Sequence, residues 1–203
     1  WAFTGHCSHF EYVKCKKWEK SCYSCPQSSS YPSSLFIDNS KENFLNKKRL
    51  FNSVQNMTIV PVSNWLENQV RYSFLNGFKS RVIQNGIDLA VFKPSKSRAF
   101  IKDYNLNNKF ILLGVASNWT ERKGFFEFIK LRKILHESFA IVLVGVNKKL
   151  QKLLPAGIIS IEKTSDQAEL AMIYSCSDLY LNLTFEDTYP STNLESIACG
   201  KQV

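Results

Sequence analysis

No apolar run in this chain approaches the ~18 residues that a membrane-spanning helix needs, so a transmembrane helix is excluded. A charged-then-apolar leader pattern is also missing at residue 1. No G-x-G-x-x-G occurs, which rules out the ordinary dehydrogenase fingerprint. Basic residues are not interleaved with aromatics as in RNA-binding motifs, so nucleic acid is not an expected partner. The chain does not begin with Met and stops in mid-pattern at Lys201-Gln202-Val203, so an internal piece of a longer protein, inactive by itself, is expected.

Acidic residues are in deficit, with 17 Asp and Glu against 26 Lys and Arg and a formal charge of +9. Such a surplus attracts phosphates or anionic lipid surfaces. Hydrophobic residues make up 44% of the chain and aromatics 13%, the composition of a folded domain and not of a disordered one. Its 203 residues suffice for one or two domains with real cores.

Residues 1–38 show little periodicity and many turn residues. Cys7, Cys15, Cys22 and Cys25 follow a C-x7-C-x6-C-x2-C spacing. The C-x2-C pair sets two sulfurs on one side of a turn, as half of a zinc knuckle does. Structural zinc, disulfides and free thiols all remain open from spacing alone, with His6 and His9 as substitute ligands. Residues 40–56 read as a helix with Phe44, Leu45, Leu50 and Phe51 on one face and the basic run Lys47–Arg49 on a solvated one. That run is also a candidate for contact with a membrane surface. A short buried strand is expected at 57–62. A helix capped by Ser63 or Asn64 should follow, with Leu66, Val70 and Phe74 in one stripe ending at Gly77. Residues 81–83 read as a strand entering an Asn85-Gly86 turn with positive φ.

Polar residues 95–109 suggest a linker and a short helix. Beyond them apolar strands (110–115, 140–144, 158–161, 178–183) alternate with helices (124–135, 148–154, 166–175), which implies buried parallel strands joined by right-handed crossovers. This is a doubly wound, Rossmann-like half. Two of its turns carry chemistry. After the first strand come Asn118, Arg122, Lys123 and Gly124, where an Arg–Lys pair beside a helix start suits a diphosphate. After the last strand, residues 184–200 (TFEDTYPSTNLESIACG) bring Glu186, Asp187, a proline turn and a new helix. There the bland reading is a capping box, Thr192-x-x-Glu195, with the Glu in the first turn. His136 and Cys176 read as structural, and Cys199 as core packing.

Three segments in order resemble family 4 glycosyltransferases, retaining enzymes that use nucleotide-sugar donors. They are the cysteine loop (Trp1, Thr4-Gly5, Cys7, Cys15, Lys17-Trp18, Cys22, Cys25-Pro26, Tyr31-Pro32), the 82–94 segment (VIQNGIDLAVFKP), and an acid-x7-acid region spanning Asp187 and Glu195. The pattern is similar to the branch in colanic acid and other exopolysaccharide clusters of bacteria. Thr188-Tyr189-Pro190 replaces the usual Gly-Phe-Gly, and Asn118 the usual Arg.

The resemblance implies an α/β GT-B fold of two Rossmann-like domains, both truncated: 1–96 from the acceptor-side domain with the Cys-rich loop 7–25, and 97–203 from the nucleotide-sugar domain. It also implies hexosyl transfer with retention from a nucleotide-diphosphate sugar to a glycan or lipid-linked acceptor. The setting would be cytoplasmic, with peripheral contact at the inner face of the plasma membrane. No cofactor is expected for catalysis, and Cys7, Cys15, Cys22 and Cys25 would hold structural zinc if they hold a metal. Glu195 would bind the donor ribose, with Asp187 or Glu186 near the transferred sugar. Lys123, with Arg122 and Asn118, would face the diphosphate, and the backbone of Ser191, Thr192 and Asn193 the sugar or diphosphate. No protein nucleophile is evident in the sequence. The rival readings are a non-catalytic Rossmann-like scaffold and a zinc-dependent binding module.

Overall fold

The computed structural model describes residues 1–30, 33–34, 37–95 and 98–203. Tyr31-Pro32, part of the cysteine-loop pattern, and linker residues Lys96 and Ser97 lie outside the described residues. The chain divides into two compact units, Trp1–Asn85 and Gly86–Val203. The sequence reading closes the first domain at residue 96 instead. The difference is carried by Phe92, which is buried with Phe100 and Tyr174 in the second unit's core.

The first unit is held by aromatics from the irregular N-terminal segment. Trp18 is 2% exposed and packs on Phe3 and Phe10, with ring centroids 5.0 and 4.8 Å away. Helix α1 (Ser40–Asn52) adds Phe44, and α2 (Asn64–Tyr72) adds Leu66 and Val70. Ser63 caps α2, its hydroxyl accepting from the Leu66 N–H at 3.2 Å. Lys47 does not join the solvated basic face. It turns inward, donating to the carbonyls of Trp1 (2.9 Å) and Thr4 (2.8 Å).

Strands β1 (Thr58–Ile59) and β2 (Lys79–Ser80) pair in parallel. The expected buried strand at 57–62 is thus two residues long, with Thr58 exposed and Ile59 half-buried. Pro61 interrupts it because a proline has no N–H for a ladder. Residues 81–83 are not a named strand either, although Arg81 N–H to Ile59 O (3.0 Å) and Ile83 N–H to Pro61 O (3.0 Å) extend the pairing. Neither Asn85 nor Gly86 has positive φ. The turn forms later, where the Asp88 carboxylate accepts from the Ala90 N–H (2.8 Å) and its carbonyl from Phe92 (2.8 Å).

The second unit follows the expected alternation. After a short helix α3 (Ala99–Asp103), it runs β3 (Phe110–Val115), α4 (Phe125–Ile134), β4 (Phe139–Val144), α5 (Lys148–Gln151), β5 (Ile158–Ile161), α6 (Gln167–Cys176), β6 (Leu179–Tyr180) and α7 (Ser191–Ala198). All pairings are parallel, in the order β5-β4-β3-β6. Ile141, Val142 and Leu143 of the central strand are fully buried, as strands covered on both faces must be. The chain steps outward from β3 through β4 to β5, then crosses to β6 on the other side of β3. That reversal opens a crevice at the carboxyl ends of β3 and β6, the usual ligand position in such sheets. Asp178 fixes the register of β6 on both sides of one residue, its N–H reaching Ile111 O (2.9 Å) and its carboxylate accepting from Ile111 N–H (2.7 Å).

Gly145, just past β4, has φ of +91°, and a Cβ there would lie 1.7 Å from the Ala116 carbonyl oxygen. Gly145→Ala is therefore expected to cost at least about 1–3 kcal/mol, from the backbone strain alone. Gly77→Ala, at a site with nothing within 4 Å of the new Cβ, is expected to leave the urea midpoint near that of the parent. Equal midpoints for the two variants would refute this account of the turn.

Candidate functional site

The crevice between β3 and β6 gathers the residues that the sequence separates. The β3–α4 turn is pinned by Trp119, whose buried indole N–H donates to the Val144 carbonyl at 2.8 Å. The turn ends at Gly124, with φ of +78°, where a Cβ would come within 2.3 Å of the Leu183 carbonyl oxygen. Glycine there lets the turn touch the segment that follows β6, and the Phe185 N–H bonds to Arg122 O at 2.9 Å. This contact brings Lys123 Nζ to 2.6 Å from Asp187 Oδ2.

The pair is three-quarters buried, with side chains 28% and 24% exposed. Burial of Asp187 opposes its ionisation. The Lys123 hydrogen bond and charge, the Thr188 N–H and the nearby Arg122 outweigh that, so its carboxyl titrates below the usual aspartate value. Glu186 points differently: it is 7% exposed, and its backbone carbonyl takes the Arg122 guanidinium. Of the two acids that the sequence leaves open, Asp187 is the one that meets Lys123. Arg122 spends a donor on the backbone and so braces the two turns against each other. Asn118 is exposed in the same turn.

Helix α7 does not form the expected capping box. It starts at Ser191, behind Pro190, and no side chain caps it. Thr192 is thus its second residue and Glu195 its fifth, beyond the first turn. The physical reason is Pro190, whose restricted φ already sets the helix start. No side chain caps the N-terminal N–H groups of α7, and that of Asn193 bonds back to the Pro190 carbonyl at 3.2 Å. Asn193 is held by Asn182, which donates to its amide oxygen at 2.9 Å. Thr192 stands in hydrogen-bonding reach of the Tyr180 phenol. The Glu195 carboxylate accepts instead from the Tyr174 hydroxyl at 2.9 Å. Sequence reasoning missed Tyr174 altogether, because it lies on α6 and looks like one more core residue.

Cys7, Cys15, Cys22 and Cys25 do converge, with His6, on one small cavity in the first unit. All are free thiols, and the Gly5 N–H lies 3.2 Å from the Cys22 sulfur. Among the described residues, however, no group of three or more His, Cys, Asp or Glu is arranged to hold a metal ion. Cys7 and Cys22 pack into the aromatic core instead, 5% and 9% exposed. His136 Nδ1 accepts from the Ser138 N–H (3.2 Å) in the turn before β4. Cys176 and Cys199 lie in the second unit's core.

No protein-family model and no curated protein sequence matches this chain. Solved structures do. Sucrose-phosphate synthase from Thermosynechococcus elongatus superposes with a TM-score of 0.67 at 15% identity, over 88% of this chain and 45% of that one. HepE of Anabaena, solved with UDP-glucose, gives 0.62 at 16% identity over 79% and 47%. A trehalose-6-phosphate synthase studied for glycosyl transfer with retention gives 0.58 at 15% over 79% and 46%. The chain spans less than half the length of each. It has the α/β fold of GT-B proteins, built from Rossmann-like units. Among the described residues no helix is long and apolar enough to cross a membrane.

Two predictions follow from this geometry. Because the Asp187 carboxyl titrates lower in the folded chain than unfolded, its contribution is complete above the ordinary value of 3.8 and is lost as pH falls through the lowered folded value. Asp187→Asn should cost about 1 kcal/mol at neutral pH, and the gap from the parent should close in an acid denaturation series as pH falls through the lowered folded value. A gap that stays constant with pH would count against the ion pair. In the cysteine loop, burial first and the neighbouring thiols second push Cys7 up to about 12, and burial also raises Cys22. Alkylation of the native protein, followed by peptide mass spectrometry, should label half-buried Cys15 and Cys25 well before Cys7 and Cys22. Joint protection of all four, relieved by a chelator, would instead show that they hold a metal.

Proposed function

We propose that this chain belongs to a retaining GT-B glycosyltransferase, and that its second unit binds a nucleoside-diphosphate sugar. The carrying observation is the meeting of Lys123 and Asp187 at 2.6 Å, from turns 64 residues apart, at the sheet's switch point. A cation, a carboxylate and an uncapped helix start share this crevice. That combination suits a diphosphate, with a sugar beside it. The fold likeness supports the reading, since HepE was solved with UDP-glucose and the trehalose-6-phosphate synthase concerns transfer with retention.

In this reading the donor diphosphate takes over Lys123 from Asp187. The ammonium and the α7 backbone N–H groups stabilise negative charge as the bond from the sugar C1 to the diphosphate oxygen breaks. The acceptor hydroxyl forms the new bond to C1, and its proton passes to the departing phosphate. Asp187, released from Lys123, is placed to hold hydroxyls of the transferred sugar. Glu195 takes the ribose. The acceptor is a glycan or lipid-linked sugar of a bacterial surface polysaccharide, as the cysteine-loop resemblance suggests.

Thermal shift of the purified protein with UDP, GDP and ADP tests the donor site. One nucleotide is expected to raise the midpoint by several degrees at saturating concentration, and Lys123→Ala with Glu195→Ala to abolish the rise. A folded protein that responds to none of the three would overturn the assignment.

A further inference from the structure

We propose that Tyr174 is a positioning residue for the donor site, holding the Glu195 carboxylate in the orientation that receives the two ribose hydroxyls. The inference rests on the donor-site reading above and adds to it a residue on an element remote from the phosphate turns.

The first observation is the hydrogen bond from the Tyr174 hydroxyl to Glu195 Oε2, at 2.9 Å. An ionised carboxylate only accepts, so the phenol must donate. Burial, and then the charge of Glu195, raise the Tyr174 pKa and keep that proton in place. Each carboxylate oxygen has two lone pairs, so one bond at Oε2 leaves Oε1 to a ligand while removing the freedom of the group to rotate.

The second observation is how rigidly the phenol is held. Tyr174 is fully buried, and its ring lies edge-on to Tyr180 of β6 (5.6 Å) and to Phe92 (6.4 Å). Phe92 comes from the 82–94 segment and is itself 5% exposed. That segment is tied to α6 one residue along, where the Ser95 N–H donates to Ser175 Oγ at 3.0 Å. Two chain segments besides its own helix therefore fix the phenol before any ligand arrives.

A third observation removes the competing explanation. Glu195 does not cap its own helix, since α7 begins at Ser191 without a side-chain cap. A half-buried carboxylate with no capping duty, gripped at one oxygen by a buried phenol, is pre-set for a ligand at the other.

The test compares UDP with inorganic pyrophosphate, which has the phosphates and no ribose. Isothermal titration is run on the parent, Tyr174→Phe and Glu195→Gln, with circular dichroism confirming the fold; Phe keeps the ring and its packing. Tyr174→Phe should weaken UDP about tenfold and leave pyrophosphate binding within twofold, and Glu195→Gln should show the same split. In a Glu195→Gln background, Tyr174→Phe should add little more. Unchanged UDP binding, or equal loss for UDP and pyrophosphate, would overturn the positioning role while leaving the donor site standing. A parent protein that binds UDP no better than pyrophosphate would overturn the ribose contact itself, and the role of Tyr174 with it.

Discussion

The site depends on one close backbone approach. Where the β3–α4 turn meets the segment after β6, there is room for a hydrogen and not for a methyl: a Cβ on Gly124 would sit 2.3 Å from Leu183 O. Only because the two turns touch does the Phe185 N–H reach Arg122 O, and only because of that do Lys123 and Asp187 meet. The sheet order makes the approach available, since β3 and β6 are neighbours although 63 residues (116–178) lie between the end of one and the start of the other. The glycine then lets it close. Positive φ at the same residue serves the helix start, so one position carries both constraints.

Charge at the crevice is arranged in two layers. In the outer layer Lys123 and Asp187 neutralise one another, which keeps a three-quarters-buried cation from being left without a partner. Deeper in, Tyr174 and Tyr180 stay protonated because burial disfavours their ionised forms, Tyr180 being pushed up to about 12. The neighbouring carboxylates add to that effect. The inner layer thus supplies neutral hydroxyls, while the outer layer holds the paired charges.

The first unit shows a different economy. Among its described residues the opening segment has a single turn of 3-10 helix, Lys17–Glu19, yet it is packed because Trp18, Phe3 and Phe10 form a small aromatic core. Asp38 ties the C-x2-C turn to α1, accepting from the N–H groups of Cys25 (2.8 Å) and Ser40 (2.9 Å). Lys47 closes the other side through two backbone carbonyls. The cysteines contribute to that core as small apolar side chains.

Local rules settled the second unit's architecture from the sequence alone. Apolar strands alternating with helices can bury both faces only as a parallel sheet with right-handed crossovers, and the bounds at 110–115 and 158–161 match the observed strands. That the Lys-Gly turn and the acid-rich turn lie at one edge of the sheet was likewise legible, because both follow parallel strands; that they touch was not. The tertiary structure decided what depends on competition between partners. Thr192 and Glu195 have capping-box spacing, but Pro190 sets the helix start and Tyr174 takes the carboxylate. Asn85-Gly86 has a turn's composition, but Asp88 makes the turn. Lys47 sits in a basic run and is held half-buried by two carbonyls from the chain's first residues. Phe92 reads as part of the first domain and packs in the second. For Glu195, Lys47 and Phe92 a partner distant in sequence made the choice, and for Thr192 and Asn85-Gly86 a near neighbour did.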